Sequence, residues 1–393
     1  MRFVFHGYYL KSMVETFGGR INLSVFKATL DNGPASEFQG HKAVLYFHVV
    51  DAAANRVGDS PRRGRQGEVM EMTVPQIEQL NWSDAVYTRL CDAVDRAVGG
   101  TERPVAVFDF DNTCIFRDIG ELFSHYLIDE IGYRYELDAF WQLIDPRDGR
   151  EHIRELTETL LAMPVDERRT SDVYEQYLAE MGAIYARKYV REGAAPCYEW
   201  AVRLHVGMTP DEIRRQTVRA MEREIGGDIE CEVRRTRRGE DVRINHGIRI
   251  HEEFRRLMPA LEALGFDVWV VSATNQWTVE TFAERAFDVP RERVLGNRVC
   301  MGDDGVLGDE TCQPVLYRQG KVDIIAQEIG AQPALVFGDS FTDFEMMCHA
   351  SELAVLIDRG NDELRREAIE RSFAIQPQER LTCSSEWGGA SFQ

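Results

Sequence analysis

Pro104-Val105-Ala106-Val107-Phe108-Asp109-Phe110-Asp111-Asn112-Thr113 is the stretch on which the fold of this chain turns. Its apolar run reads as a strand buried on both faces, the kind that fills the middle of a parallel sheet. The run breaks directly into two carboxylates two residues apart. Alternate residues of a strand share a face, so Asp109 and Asp111 crowd one pocket and repel unless a cation lies between them. A buried, unpaired carboxylate costs several kcal/mol. A hard ion such as Mg²⁺ is the natural compensation, because it takes carboxylate and carbonyl oxygens. Read alone, the same residues serve equally as an acidic turn that caps a following helix.

The residues toward the carboxyl end choose between these readings, because strand and helix alternate there. A helix is expected over 251–264, stopped by Gly265, then a strand over 266–271 that ends at Ser272. A helix over 277–287 leads to a strand over 294–301, and Gly302-Asp303-Asp304-Gly305 signals a hairpin. A helix over 321–329 precedes Ala334-Leu335-Val336-Phe337, which runs into Gly338-Asp339-Ser340, and 353–357 is the last expected strand. Upstream, 83–98 has helical spacing and stops at Gly99-Gly100. Such alternation predicts an α/β fold with a doubly wound, mostly parallel, Rossmann-like sheet. Ligands of such sheets sit beyond the carboxyl ends of the strands. The pairs Asp109/Asp111, Ser272/Thr274 and Asp339/Asp343 all fall at those ends.

Residues 119–246 interrupt the alternation. Helical spacing is evident over 121–131, 174–190 and 210–225, punctuated by Pro164, Pro196 and Gly226-Gly227, with no strong strand run. An inserted helical cap is the expectation. At the amino end, 21–25 and 43–50 alternate as strands around a turn at 31–34, and 58–65 reads as a basic linker. The expected divisions are a small β-rich appendage with its linker (1–65), a catalytic core (76–118 with 247–376), and the cap (119–246).

At 393 residues the chain is too long for one ordinary core. Its formal charge of -20 argues against nucleic acid or anionic membrane as a partner, so an anionic ligand needs a locally positive site. The 8 cysteines include no Cys-x-x-Cys pair, which excludes the usual zinc spacing. Cys300 and Cys312 flank the expected hairpin turn and could approach each other, but reduced thiols in a reducing compartment are the expectation. The first residues lack the apolar core of a signal peptide, and no apolar run is long enough to span a bilayer. A soluble, cytoplasmic protein acting on a small molecule is expected.

Four segments together resemble the haloacid dehalogenase superfamily: DFDNT (109–113), VVSAT (270–274), Lys321 in QGKVD, and GDSFTDFEMM (338–347). They stand in that family's order and spacing. The extension CIFRDIGELFSHYL resembles the branch that contains phosphoserine and phosphorylcholine phosphatases. The resemblance implies a phosphomonoesterase working through an aspartyl-phosphate. Asp109 would be the nucleophile and Asp111 the acid and base. Mg²⁺ would be held by the Asp109 and Asp339 carboxylates and the backbone carbonyl of Asp111, with Asp343 completing the site either as a direct ligand or as a partner behind the ligands. Asn112, Ser272, Ala273 and Lys321 would hold the phosphoryl oxygens. A transferase or mutase that passes the phosphoryl group to another acceptor, or a binding protein that keeps the fold without turnover, are the alternatives. Asp118 lies near where phosphoserine phosphatases place an acid facing the substrate amino group, although Arg117 before it departs from that pattern. Tyr185 and Tyr189, one helical turn apart, either pack the cap core or face a cationic head group. Arg234-Arg235-Thr236-Arg237-Arg238 is either a solvated loop or a contact for a second anionic group.

Overall fold

The computed structural model describes residues 76–386 and the backbone of two earlier strands, Val44–His48 and Val69–Thr73. The chain divides into two compact units, Met1–Gln76 and Ile77–Gln393. In the first unit the two strands pair antiparallel, Val44 opposite Thr73. The strand expected over 43–50 is therefore present, with a partner that the sequence reading did not identify. The strand expected over 21–25, the turn at 31–34 and the linker at 58–65 lie outside the described residues.

The second unit is built on a six-stranded sheet: β1 (Val105–Phe108), β2 (Asp267–Asn275), β3 (Val294–Asn297), β4 (Leu335–Gly338), β5 (Leu353–Asp358) and β6 (Ala374–Pro377). The spatial order is β6-β5-β4-β1-β2-β3, and every pairing is parallel. The α/β, doubly wound, Rossmann-like architecture is thus present. It carries one strand more than expected, since β6 follows β5, and β2 runs three residues past Ser272 to Asn275.

The alternation of side chains builds a core on each face. Ala106 and Phe108 of β1 join Val268, Val270, Leu335 and Phe337 on one face, where the helices Asp84–Val98, Glu252–Ala263 and Gln276–Phe287 pack. Val105 and Val107 point to the other face, toward Val271, Val336 and Leu356, covered by Ile324, Met347 and Leu364. Phe108 stacks on Phe337 with centroids 4.6 Å apart, and Phe254 sets its edge against both. Each such ring contributes roughly 1.5–3 kcal/mol by burial. The runs are continuous because both faces are dry, which is why no alternation marks them in sequence.

β1 sits where the strand order turns, with β4 on one side and β2 on the other. The chain leaves the carboxyl ends of these strands in diverging directions, and a crevice opens above them. The segment between β1 and β2 supplies the roof. It holds α1 (Ile119–Asp129), α2 (Arg150–Ala162), α3 (Asp172–Glu192), α4 (Ala194–Arg203) and α5 (Pro210–Glu224), with its own apolar core around Phe123, Phe140, Trp141, Tyr177 and Ile213. The insertion is not wholly helical, however. An antiparallel hairpin, Glu230–Arg235 with Asp241–His246, closes it.

That hairpin also corrects the reading of the arginine run. Arg234 pairs with Glu175 and Glu232, and Arg235 with Asp241. The Thr236 hydroxyl and backbone close the turn on Glu240. Its first strand is almost wholly exposed, so charge pairs replace the apolar periodicity that announces a strand. A second correction concerns cysteine: Cys300 and Cys312 form a disulfide, Cα atoms 5.0 Å apart, across the hairpin Val299–Met301 with Leu307–Thr311. Among the described residues no helix is long and apolar enough to cross a membrane.

Candidate active site

Asp109 continues β1: its N–H donates to the Phe337 carbonyl of β4 at 2.9 Å. The loop then turns sharply, with Asn112 in the left-handed region at φ 59, a conformation Asn tolerates better than most residues. Gln378 fixes the turn by donating to the Asn112 carbonyl. Asp109, 5% exposed, has both oxygens engaged. Lys321 Nζ donates to Oδ1 at 2.6 Å and Thr113 Oγ1 donates to Oδ2 at 2.7 Å. Burial pushes the Asp109 carboxyl up to about 6, and Asp343 adds to the rise while Lys321 and Thr113 oppose it.

Lys321 is fully buried, and its ammonium also donates to Asp343 Oδ1 at 2.6 Å and to the Val271 carbonyl at 2.9 Å. Burial works against this charge, but Asp109 and Asp343 outweigh it and hold the ammonium protonated, above the usual lysine range. Asp343 does not cap the helix it precedes. Its Oδ2 instead accepts from the backbone of Asp339 and Ser340, folding the loop after β4 over the site. Gly338 is required there, because a Cβ would lie 2.5 Å from that of Asp343.

Asp109, Asp339 and Asp343 each place an oxygen within 4.8 Å of the others, all three buried. Burial raises Asp339 well above the usual carboxylate range, with Asp343 and Asp109 adding to it and Arg359 opposing. Three hard oxygen donors with one ammonium between two of them remain short of positive charge, so the donor set fits a divalent cation such as Mg²⁺. The Asp111 carboxylate is not part of this set. It turns toward β2 and α1, accepting from Thr274 Oγ1 at 2.7 Å, Ser272 Oγ at 3.2 Å and the Ile119 N–H at 2.7 Å. Burial raises its pKa well above the usual range, and Asp118 and Asp109 reinforce the shift.

Asp109 and Asp111 both line a cleft of about 850 Å³ between the strand ends and the insertion. Asn112, Ala273 and Asp339 line it too, whereas Ser272, Lys321 and Asp343 lie wholly beneath its floor. The Ser272 hydroxyl is spent on Asp111 and the Thr274 N–H. Asp118 caps α1 through the Glu121 N–H and also lines the cleft. Tyr185 and Tyr189 share one face of α3, centroids 6.3 Å apart and 38% and 47% exposed. They face the cleft with Tyr198; Tyr133 both packs the insertion core and reaches the cleft, and Trp141 packs the core alone. The arginines 234–238 do not line this cleft.

A family model described as haloacid dehalogenase-like hydrolase matches residues 170–347, which include Ser272, Lys321, Asp339 and Asp343. The match spans somewhat less than half of the chain, and the parallel sheet agrees with it. The Asp109 loop lies upstream of the matched segment and joins it through the β1–β4 and β1–β2 pairings. No curated protein matches the chain. Among solved structures, a conserved functionally unknown protein from Anaerococcus prevotii DSM 20548 has the same fold, with TM-score 0.68 and 23% identity over 81% of this chain and 100% of that chain. A protein with unknown function from Bordetella pertussis Tohama I is similar at TM-score 0.45 and 18% identity, over 71% and 100% of the two chains. A substrate-bound phosphoserine phosphatase complex is similar at TM-score 0.37 and 15% identity, over 71% and 95%.

The site also holds side chains whose roles the sequence alone does not show. Thr113 and Thr274 each donate to one of the paired acids. Arg359, directly after β5, donates to Asp339 Oδ2 at 2.7 Å, and its only announcement in sequence is its place beyond a strand end.

Proposed function

We propose that this chain is a divalent-cation-dependent phosphomonoesterase of small phosphorylated metabolites. The observation that carries the reading is the Asp109–Asp111 pair at the carboxyl end of the central strand. One acid is held by Lys321 and Thr113, the other by Thr274 and Ser272, and both open on the same cleft. A hydrolase of carbon–halogen bonds has no use for a second acid there, because halide leaves without a proton. An alkoxide leaving from phosphorus does need one.

In this reading an Asp109 oxygen attacks phosphorus, the bond to the ester oxygen breaks, and Asp111 gives its proton to the departing alkoxide. Water then attacks the aspartyl-phosphate, Asp111 takes a proton from it, and inorganic phosphate leaves as Asp109 is restored. Splitting one displacement into two lets a buried carboxylate do what water does slowly. Thr274 and Ser272 hold Asp111 in one rotamer, so proton transfer starts from a fixed position. Lys321 keeps Asp109 and Asp343 together despite their mutual repulsion and tethers them to the Val271 carbonyl. Asp109, Asp339, Asp343 and the Asp111 carbonyl would hold Mg²⁺, which would supply charge neutralisation for the phosphoryl oxygens.

The insertion is the natural source of specificity, as it forms the cleft's far wall. Tyr185, Tyr189 and Tyr198 line it together with the acids Asp118 and Glu121. This wall suits a cationic head group on the substrate, an ammonium or quaternary ammonium. The test is a screen of about a hundred phosphorylated metabolites with Mg²⁺. Turnover concentrated on amine-bearing phosphomonoesters supports both parts of the reading. Turnover confined to sugar phosphates removes the head-group assignment, and no phosphate release from any member removes the phosphatase.

A further inference from the structure

Arg359 is a cation placed where the reading above requires a different one. It follows β5 at the carboxyl edge of the sheet, lines the cleft, and has a side chain 44% exposed. Its Nη1 donates to Asp339 Oδ2 at 2.7 Å, one of the three carboxylates whose oxygens converge. Of the other cations near the cleft, Arg243 lies on the hairpin of the insertion, away from the three acids, while Lys321 and Arg187 are committed. All of the Lys321 donors are taken by Asp109, Asp343 and Val271, and Arg187 is bound by Glu180, Glu240 and the Asp148 carbonyl.

A guanidinium and a divalent ion repel, so they do not share one carboxylate cheaply. Three convergent carboxylates favour the small dication, whereas Arg359 engages only one of them. The displaced side chain keeps a planar fork of donors matched to phosphate oxygens, on a residue already facing the cleft. We propose that Arg359 is a further substrate contact: it holds Asp339 in the metal-free enzyme, yields it to Mg²⁺, and then binds the substrate's phosphoryl oxygens. Metal binding thereby delivers an anion-binding group, and the metal becomes a precondition for tight phosphate binding.

This inference rests on the phosphatase reading, and the experiment separates the two. Calorimetry on the full chain measures Mg²⁺ binding alone, then inorganic phosphate binding with Mg²⁺ saturating, for the wild type, Arg359→Ala and Asp339→Asn. Arg359→Ala should bind Mg²⁺ roughly 2–5-fold more tightly, as expected for loss of a half-exposed ion pair that competes. The same variant should bind phosphate about 5–10-fold more weakly. Mg²⁺ affinity that is unchanged or weaker in Arg359→Ala overturns the proposal, as does phosphate affinity equal to the wild type. Asp339→Asn should lose Mg²⁺ binding. If it binds Mg²⁺ like the wild type, the metal assignment itself fails, whatever Arg359 does.

Discussion

Lys321 shows most clearly how single residues make this site. Lysine is seldom fully buried, because removing its charge from water costs several kcal/mol. Here two carboxylates and a carbonyl take its three N–H groups. Lys321→Met leaves Asp109 and Asp343 buried without their partner, so about 3–5 kcal/mol of stability should be lost in urea unfolding without divalent cation. Added Mg²⁺ should recover part of that loss; a cost below about 1 kcal/mol would show that the triad is not coupled as described. Asp109→Asn should keep the fold by circular dichroism and lose at least ~10³ in phosphatase rate. Asp109 and Asp343 were legible from sequence because they follow strand ends, where apolar runs stop and chemistry starts, whereas Lys321, in the helix Gln319–Ile324, was legible only as one part of the four-segment resemblance. Thr113, Thr274 and Arg359 were not, because a threonine or arginine beside a strand has many ordinary uses and only the fold aims it at an acid.

Among the elements, the sheet was readable and the insertion was readable only in part. The β1, β4 and β5 runs are apolar throughout because they are covered on both faces. α5 carries its start signal openly: Thr209 accepts from the Glu212 N–H while the Glu212 carboxylate accepts from the Thr209 N–H, with Pro210 at the first turn. Thr209→Ala should cost about 1 kcal/mol in denaturant unfolding with activity retained, and an unchanged midpoint would mean that α5 is held by packing alone. The hairpin after α5 escaped notice because its first strand has almost no buried face and is held by ion pairs. β6 escaped because only two of its four residues are buried. The α1 approach to β2 depends on Gly120, where a Cβ would meet Thr274 Oγ1 at 2.6 Å, and a lone glycine does not reveal its neighbour in sequence.

At the scale of the whole molecule, the insertion and the sheet form one cleft with the acids at its floor and the tyrosines on its far wall. His205 lies in the core of the insertion beside that cleft, 2% exposed, stacked on Phe123 and bonded through Nδ1 to the Val202 carbonyl. Burial lowers its pKa to about 4, so the folded state holds it neutral. An unfolded histidine takes up a proton near 6.5, and the stability present above that pH is therefore lost as pH falls toward 4. Between pH 7.5 and 5.5 this residue alone should remove about 1.4 kcal/mol. Unfolding free energies from urea titrations at the two pH values should differ less in His205→Gln by that amount; identical pH dependence in both proteins would show that His205 is not held neutral. Chelating divalent cation should abolish turnover and leave thermal stability almost unchanged, since Ile77–Gln393 is cored by its own apolar clusters. The most direct measurement is acid quenching of the enzyme during turnover of a phosphomonoester found in the screen, followed by mapping of the phosphoryl group. The expected result is a phosphoryl group on Asp109, absent from Asp109→Asn; normal turnover with the group on another residue, or with none bound, would contradict it.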